Sequence, residues 1–279
     1  MLRQRLISGL ILAAALLAAV FFVPPSGVPF VVLPIVYLAL REFYALLDAR
    51  ETPHFKMVGI LSGLGLVGAT WAAYYFRCPH ADAVEPVMLF AACASILLRQ
   101  LFHTRTNRPW DSIAGTLLGV LYVAFLFNFI AKLLVLWGDT VGRMLVLFLV
   151  VVVKCTDIGA YFIGCAIGRH KLFPRISPAK TWEGVVGGVA VGMVAGWAFS
   201  AVAGEASVLQ GPAVWGVGFL LAVAGVFGDL IESLFKRASG VKDSGTMIQG
   251  MGGILDVLDS LLFSAPVMYI AALFFVPPP

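Results

Sequence analysis

Charge is scarce in this chain. Asp, Glu, Lys and Arg supply 12% of its residues, against about 25% in soluble globular domains, and that shortage excludes an ordinary water-soluble fold. Cysteine is scarce too. The four present, Cys78, Cys93, Cys155 and Cys165, form no Cys-x-x-Cys pair and no metal-ligand spacing, and they lie mostly within apolar runs, so they read as small apolar residues. No internal repeat of the kind that builds many transporters is visible.

What is abundant is hydrophobicity, at 61% of the residues. Apolar runs of about 20 residues recur, each long enough to cross a bilayer core of about 30 Å as a helix. The pattern predicts an all-α, polytopic integral membrane protein with about nine transmembrane helices, near 6–23, 27–47, 56–76, 86–102, 112–136, 142–167, 182–203, 213–235 and 256–276. The first run is long for a signal peptide and ends in Phe21-Phe22-Val23-Pro24-Pro25, without a small-residue cleavage site, so it is expected to be retained as a span. Residues 1–141 are expected to be an amino-terminal scaffold of about five helices. Residues 142–279 are expected to be a catalytic membrane region of about four helices with two polar loops.

The basic residues segregate between alternate connections. Arg3, Arg5, Arg50, Lys56, Arg99, Arg105, Arg108, Arg169, Lys171, Arg175, Lys180, Lys236, Arg237 and Lys242 fall on one side, and only Arg77 and Arg143 on the other. The positive-inside rule makes the first side cytoplasmic, with the amino terminus inside. Lys132, near the outer end of its span, is expected to snorkel toward the headgroups. Arg41 and Glu42 are expected to have a structural role, pairing or reaching the headgroups. Gly59 and Gly63, and the series Gly184, Gly188, Gly192 and Gly196, are spaced for close helix contact, within one protomer or between two.

Polar chemistry is concentrated in the carboxyl-terminal half. Residues 229–259 hold eight charged side chains between two membrane-length runs. Asp229, Glu232, Ser233 and Lys236 fall at i, i+3, i+4 and i+7, one helical stripe, and Asp256 and Asp259 share another. Two helix ends bearing carboxylates, joined by a loop containing Lys242 and Asp243, suit a hard divalent cation completed by phosphate oxygens. An unpaired charge in mid-membrane costs roughly 2.5–3.5 kcal/mol, so a set of this size points to use. Lys154 and Asp157 can pair across one turn of an earlier span. Ser177, Lys180 and Thr181, just before a helix, offer hydroxyls, an ammonium and free backbone N–H groups to a phosphate.

Four ordered pieces resemble the CTP:phosphatidate cytidylyltransferase family, the CDP-diacylglycerol synthases. They are Asp157-Ile-Gly-Ala-Tyr161 with Gly164 and Gly168-Arg169; Ser177-Pro178-Ala-Lys180-Thr181-Trp-Glu183-Gly184 with Gly187-Gly188; Gly228-Asp229-Leu-Ile-Glu232-Ser233; and Ser233 to Asp259 with Lys236-Arg237, Lys242-Asp243, Gly252-Gly253 and Asp256. The resemblance covers roughly residues 142–262. It implies transfer of CMP from CTP to phosphatidic acid, giving CDP-diacylglycerol and pyrophosphate at the bilayer. It further implies Mg²⁺, with K⁺ or a similar monovalent ion as a second cation, a homodimer, no nucleic-acid partner and a bacterial inner-membrane location. On this reading Asp229, Asp256 and Asp259 are the metal ligands. Lys236, Arg237, Lys242 and Asp243 join them as catalytic residues, and Asp157, Ser177, Lys180, Thr181, Glu183, Glu232, Ser233, Gly252 and Gly253 contact substrate.

The family's usual Pro, His and Arg at positions 249, 251 and 257 are here Gln249, Met251 and Val257. A lipid phosphate is already ionised at neutral pH, so its attack needs no obligatory base, and an active variant is expected. Three rival readings remain. A transporter would need polar residues continuing through the outer halves of the last spans, which are nearly uncharged. A CDP-alcohol phosphotransferase would need a carboxylate, Asp-Gly and Ala-Arg motif that is absent. A cytidylyltransferase acting on another lipid phosphate leaves no distinguishing motif.

Overall fold

The computed structural model describes residues 22–103, 107–204, 207–245, 247 and 252–276, apart from the side chain of Asp139. Eight helical segments among them are long and apolar enough to cross a membrane: Pro25–Ala49, Lys56–Tyr75, Ala81–Leu101, Pro109–Leu136, Thr140–Ile167, Trp182–Ala203, Pro212–Ala238 and Ile254–Phe275. Each answers to one expected span. The run at 6–23 lies outside the described residues. The chain forms two compact units: residues up to Val135 with Ala238–Val257, and Leu136–Arg237 with Leu258 onward.

The first unit contains α1 (Val28–Ala49), α2 (Lys56–Tyr75), α3 (Ala81–Leu101), α4 (Pro109–Gly119), a π-helical stretch (Val120–Phe125) and nearly all of α5 (Leu126–Leu136). Its centre is Tyr44, fully buried on α1, whose hydroxyl donates to the Thr116 carbonyl at 2.9 Å. Glycine is required on both sides of this ring. A Cβ on Gly119 would lie 2.6 Å from the Tyr44 oxygen, and one on Gly59 would overlap the same hydroxyl. Gly63 does the same for Leu40 and Ala124, where a Cβ would come within 2.6 and 2.9 Å. The small residues therefore let a large polar-tipped ring fill the helix interface.

Lys132 departs from the snorkelling expectation. Its ammonium meets Glu85 at 2.6 Å with 7% and 14% of the two side chains exposed, and Asn128 donates to the same carboxylate at 3.1 Å. A partner on α3, 47 residues away, neutralises the charge inside the helices, so the stem has no reason to reach for water.

The second unit contains α6 (Gly138–Ile167), a hairpin of β1 (Lys171–Phe173) and β2 (Ser177–Thr181), α7 (Trp182–Ala203), α8 (Pro212–Ala238) up to Arg237, and α9 (Ile254–Phe275) from Leu258. The glycine series on α7 is buried and packs within the chain. A Cβ on Gly188 would come 2.7 Å from the Thr156 carbonyl and the Ala160 methyl, and one on Gly196 would come 2.8 Å from Val152, all on α6. α6 and α7 thus touch backbone to backbone. The expected polar loop between them is the antiparallel hairpin, with Lys171 opposite Thr181 and Phe173 opposite Ser177. It brings β2 directly into the first turn of α7.

Candidate active site

The second unit gathers its intramembrane charges around the middle of α6 and the early turns of α9. Lys154 pairs with Asp157 at 3.4 Å, as their i, i+3 spacing predicts. Ser260 joins both: its hydroxyl lies 2.9 Å from Asp157 Oδ2 and 3.2 Å from Lys154 Nζ. The neighbouring Asp259 is 7% exposed, and its Oδ1 accepts from the Ser260 N–H at 2.5 Å and the Ser260 hydroxyl at 3.0 Å. Asp229, Lys154 and Asp157 all act electrostatically on Asp259. The close approach depends on Gly228, where an added Cβ would overlap the Asp259 carbonyl oxygen. Asp229 and Asp259 are therefore neighbours because α8 presents a bare backbone to α9 one residue earlier.

Asp229 is paired as well. Its Oδ2 lies 2.6 Å from Lys180 Nζ, and its Oδ1 accepts from Ser233 at 3.4 Å. Lys180 arrives from β2, so the hairpin sets its position. Thr181 caps α7, accepting from the Gly184 N–H at 3.2 Å, and its hydroxyl occupies space that Cβ atoms at Gly164, Gly168 and Gly184 would contest at 3.2, 2.6 and 3.0 Å. The glycines of this motif thus close around a helix cap. Glu183 holds the hairpin's base, accepting from Arg169 N at 3.1 Å and His170 N at 3.2 Å, with His170 Nδ1 at 2.6 Å. Ser177 is half-buried at the start of β2. Arg237 donates to the Ile176 carbonyl at 3.3 Å, tying the end of α8 to the hairpin. Glu232, fully buried, pairs with Lys236 one turn on.

The remaining residues of the 229–259 stretch lie in the first unit, and there the carboxylates face backbone N–H groups. Asp256 Oδ2 accepts from Gly253 N at 2.7 Å, Ser244 N at 3.0 Å and the Ser244 hydroxyl at 2.7 Å. Glu42, on α1, accepts from Ile254 N at 3.1 Å, Leu255 N at 2.8 Å and the Ser244 hydroxyl at 3.4 Å. The orphan donors of α9's first turn are thus shared between two carboxylates, favoured there by the helix dipole. Gly245 and Gly253 leave room for Glu42: a Cβ on either would come 2.7 Å from its Oε1. Gly252 takes φ +98° with Asp256 against its Cα, a backbone state costly for other residues. Lys242 and Asp243 are exposed. Val257 is half-buried, and Gln249 and Met251 lie outside the described residues.

The structure therefore brings Asp157, Asp229, Asp259 and Lys180 together in one unit, and Asp256, Gly252 and Gly253 with Ser244 in the other. Reasoning from the sequence overlooked two members. Glu42 carried a signal, an acidic residue inside an apolar span; Ser260, an ordinary small hydroxyl, carried none. Among the described residues, no three His, Cys, Asp or Glu side chains are grouped as a metal site by themselves. Mg²⁺ typically takes one or two carboxylates and completes its shell with water and substrate phosphates, and Asp229 beside Asp259 fits that donor set.

Eight apolar spans among the described residues define a polytopic membrane protein, and its second unit holds carboxylates paired with ammoniums. Comparison with known proteins narrows this. The cytidylyltransferase family matches residues 3–275, and the chain belongs to that family. It is 31% identical over 270 residues to a phosphatidate cytidylyltransferase of Bacillus subtilis strain 168, covering 96% of both chains. It is 33% identical over 242 residues to one of Staphylococcus aureus strain COL, covering 85% of this chain and 89% of that one. It is 37% identical over 193 residues to one of Brucella suis, covering 68% and 66%.

Proposed function

We propose that the protein is a CTP:phosphatidate cytidylyltransferase, a nucleotidyltransferase that joins CTP and phosphatidic acid to give CDP-diacylglycerol and pyrophosphate. The observation that carries the reading is the Lys180–Asp229 pair at 2.6 Å set beside Asp259. A carboxylate masked by an ammonium can exchange partners when a polyanion enters: Lys180 turns to phosphate, and Asp229 becomes available to a cation. Both reactants are polyanions, so the reaction needs such a site.

In the transfer, a phosphate oxygen of phosphatidate attacks the α-phosphorus of CTP. A new P–O bond forms, the bond from the α-phosphorus to the bridging oxygen breaks, and the electron pair leaves on pyrophosphate. Lys180 holds phosphate oxygens, with Lys236, Arg237 and Lys242 as further cations at the ends of the same segment. Lys154 and Ser260 fix Asp157 and Asp259 so that the carboxylates do not drift as charge develops. Asp229 and Asp259 would hold Mg²⁺, which when bound would neutralise that charge; a monovalent ion such as K⁺ would be the second cation of this reading. Asp256, the third carboxylate expected at the metal, accepts through Oδ2 from Gly253 N, Ser244 N and the Ser244 hydroxyl and so orders the start of α9. Thr181 and Glu183 do the same for the hairpin that carries Lys180.

The reading extends to a homodimer in the inner membrane of a bacterium, with the amino terminus and the site on the cytoplasmic side, where CTP is available. The segregation of basic residues supports that orientation. The test is a membrane assay with labelled CTP against a panel of lipid phosphates, with and without Mg²⁺. Label should enter a CDP-lipid only with phosphatidate and Mg²⁺ present. Turnover with a different lipid phosphate alone would reassign the substrate, and charge movement in vesicles without nucleotide turnover would replace the enzyme with a transporter.

A further inference from the structure

Wholly within the first unit, a cleft of about 470 Å³ opens beside the glycine-rich segment that precedes α9. One wall is a stripe of α1, Leu38, Arg41, Glu42 and Ala45 at i, i+3, i+4 and i+7. Facing it are Lys56, the first residue of α2, and Ser244 with Gly245. Three features set its chemistry. Glu42 is committed to the N–H groups of Ile254 and Leu255 and to Ser244, so it forms the floor of the cleft. The two cations on the rim are Arg41, exposed and with no ion-pair partner among the described residues, and Lys56, whose partner Asp48 is loosely held at 3.3 Å with 58% of its side chain exposed. The rest of the lining includes Leu38, Ala45 and Met247, and no aromatic ring on which a nucleobase would stack is among the lining residues.

We propose that this cleft binds the phosphate monoester of a lipid, Arg41 and Lys56 holding the phosphate and Leu38, Ala45 and Met247 taking the glycerol and first methylenes. Lys56 opens α2 beside the short connection from α1 and so stands at the level where lipid headgroups lie, and Arg41, two turns inside α1, lines the same cleft with a side chain long enough to extend along the helix toward that level. A guanidinium and an ammonium converging on one phosphate give the charge-assisted, multidentate contact that a phosphomonoester needs. The volume falls within the range of small-ligand sites, about 300–1,000 Å³, and suits a headgroup with its acyl chains left in the bilayer. The inference rests on the cytidylyltransferase reading in one respect, that the lipid held here is the phosphatidate to be activated. It adds which residues distinguish the lipid from the nucleotide, a pair of cations separate from Lys180, Lys236 and Arg237, which stand with Asp229, Glu232 and the Ile176 carbonyl.

Two measurements on the purified full-length protein test it. In mixed micelles, Arg41→Gln, Lys56→Gln and the double variant are assayed with phosphatidate varied at saturating CTP, then the reverse. The double variant is expected to raise the KM for phosphatidate by about tenfold or more, to leave the KM for CTP within about twofold, and Arg41→Lys is expected to recover part of the loss. A raised KM for CTP with an unchanged lipid KM, or no change in either, overturns the proposal. Separately, without CTP, dioctanoyl phosphatidate is expected to raise the melting temperature of the wild type and not of the double variant, while dioctanoylglycerol raises neither. Equal stabilisation by glycerol 3-phosphate would show a site for soluble phosphates and overturn the lipid assignment. This second measurement needs no turnover, so it decides the cleft even if the cytidylyltransferase reading fails. Lys56→Gln alone, at a half-exposed position, keeps both tests open should Arg41 variants fold poorly.

Discussion

Asp256 and Asp259 stand one turn apart on α9, yet their surroundings differ in kind. Asp256 faces Gly253 N, Ser244 N and the Ser244 hydroxyl, and Glu42 beside it faces two further N–H groups. Asp259 also accepts from a backbone N–H and a hydroxyl, both of Ser260, but its neighbours are carboxylates that meet ammoniums, Asp229 with Lys180 and Asp157 with Lys154. Backbone N–H groups cannot leave, so the first arrangement is fixed. Ammonium side chains can swing to an incoming phosphate, so the second is exchangeable. One segment thus carries a rigid half that locates the helix and a responsive half that meets ligands.

Four substitutions probe that contrast, from the largest expected effect to the smallest. Asp229→Asn removes an exchangeable carboxylate and is expected to lower the turnover of CTP and phosphatidate about a thousandfold while leaving the folded protein intact; near-normal rates in the membrane assay would remove Asp229 from the responsive half. Lys132→Met strands the buried Glu85 and is expected to cost roughly 3–5 kcal/mol of stability. Both Lys132 and its partner Glu85 lie outside the 229–259 stretch, so kcat at low temperature should hold, and a lost kcat with an unchanged melting curve would contradict the purely structural role. Glu42→Gln keeps the size but weakens acceptance from α9's first turn, and is expected to lower kcat roughly tenfold to a hundredfold with little change in the KM for CTP; an unchanged kcat would separate the order of α9's first turn from catalysis. Thr181→Ala deletes the α7 cap and is expected to cost about 1 kcal/mol, read as a small drop in melting temperature. Loss of activity at full stability would instead place the hydroxyl on substrate.

The helices were legible because each span is written in a long apolar run, and eight of the expected positions reappear within a few residues. The exchangeable charges were legible for a related reason: Lys154, Asp157, Asp229 and Asp259 are conspicuous in lipid-soluble surroundings. Partners distant in sequence were not legible. Lys132 looked like a snorkelling residue because nothing in its own helix predicts Glu85 on α3. Glu42 looked structural in a generic way because its role depends on Gly253 and Leu255, more than 200 positions later. The hairpin was hidden too, since β1 is only three residues long and its pairing owes more to Glu183 than to strand propensity. The inward direction of the glycine series was open until α6 supplied the facing surface.

The central claim is that Asp229 and Asp259, from two helices, act as one cation- and phosphate-holding unit. A double-mutant cycle of Asp229→Asn and Asp259→Asn, read as Mg²⁺-dependent conversion of phosphatidate to CDP-diacylglycerol, tests it most directly. The account predicts that either single variant loses as much activity as the double. Losses that simply multiply, or a single variant that keeps wild-type Mg²⁺ dependence, would contradict it.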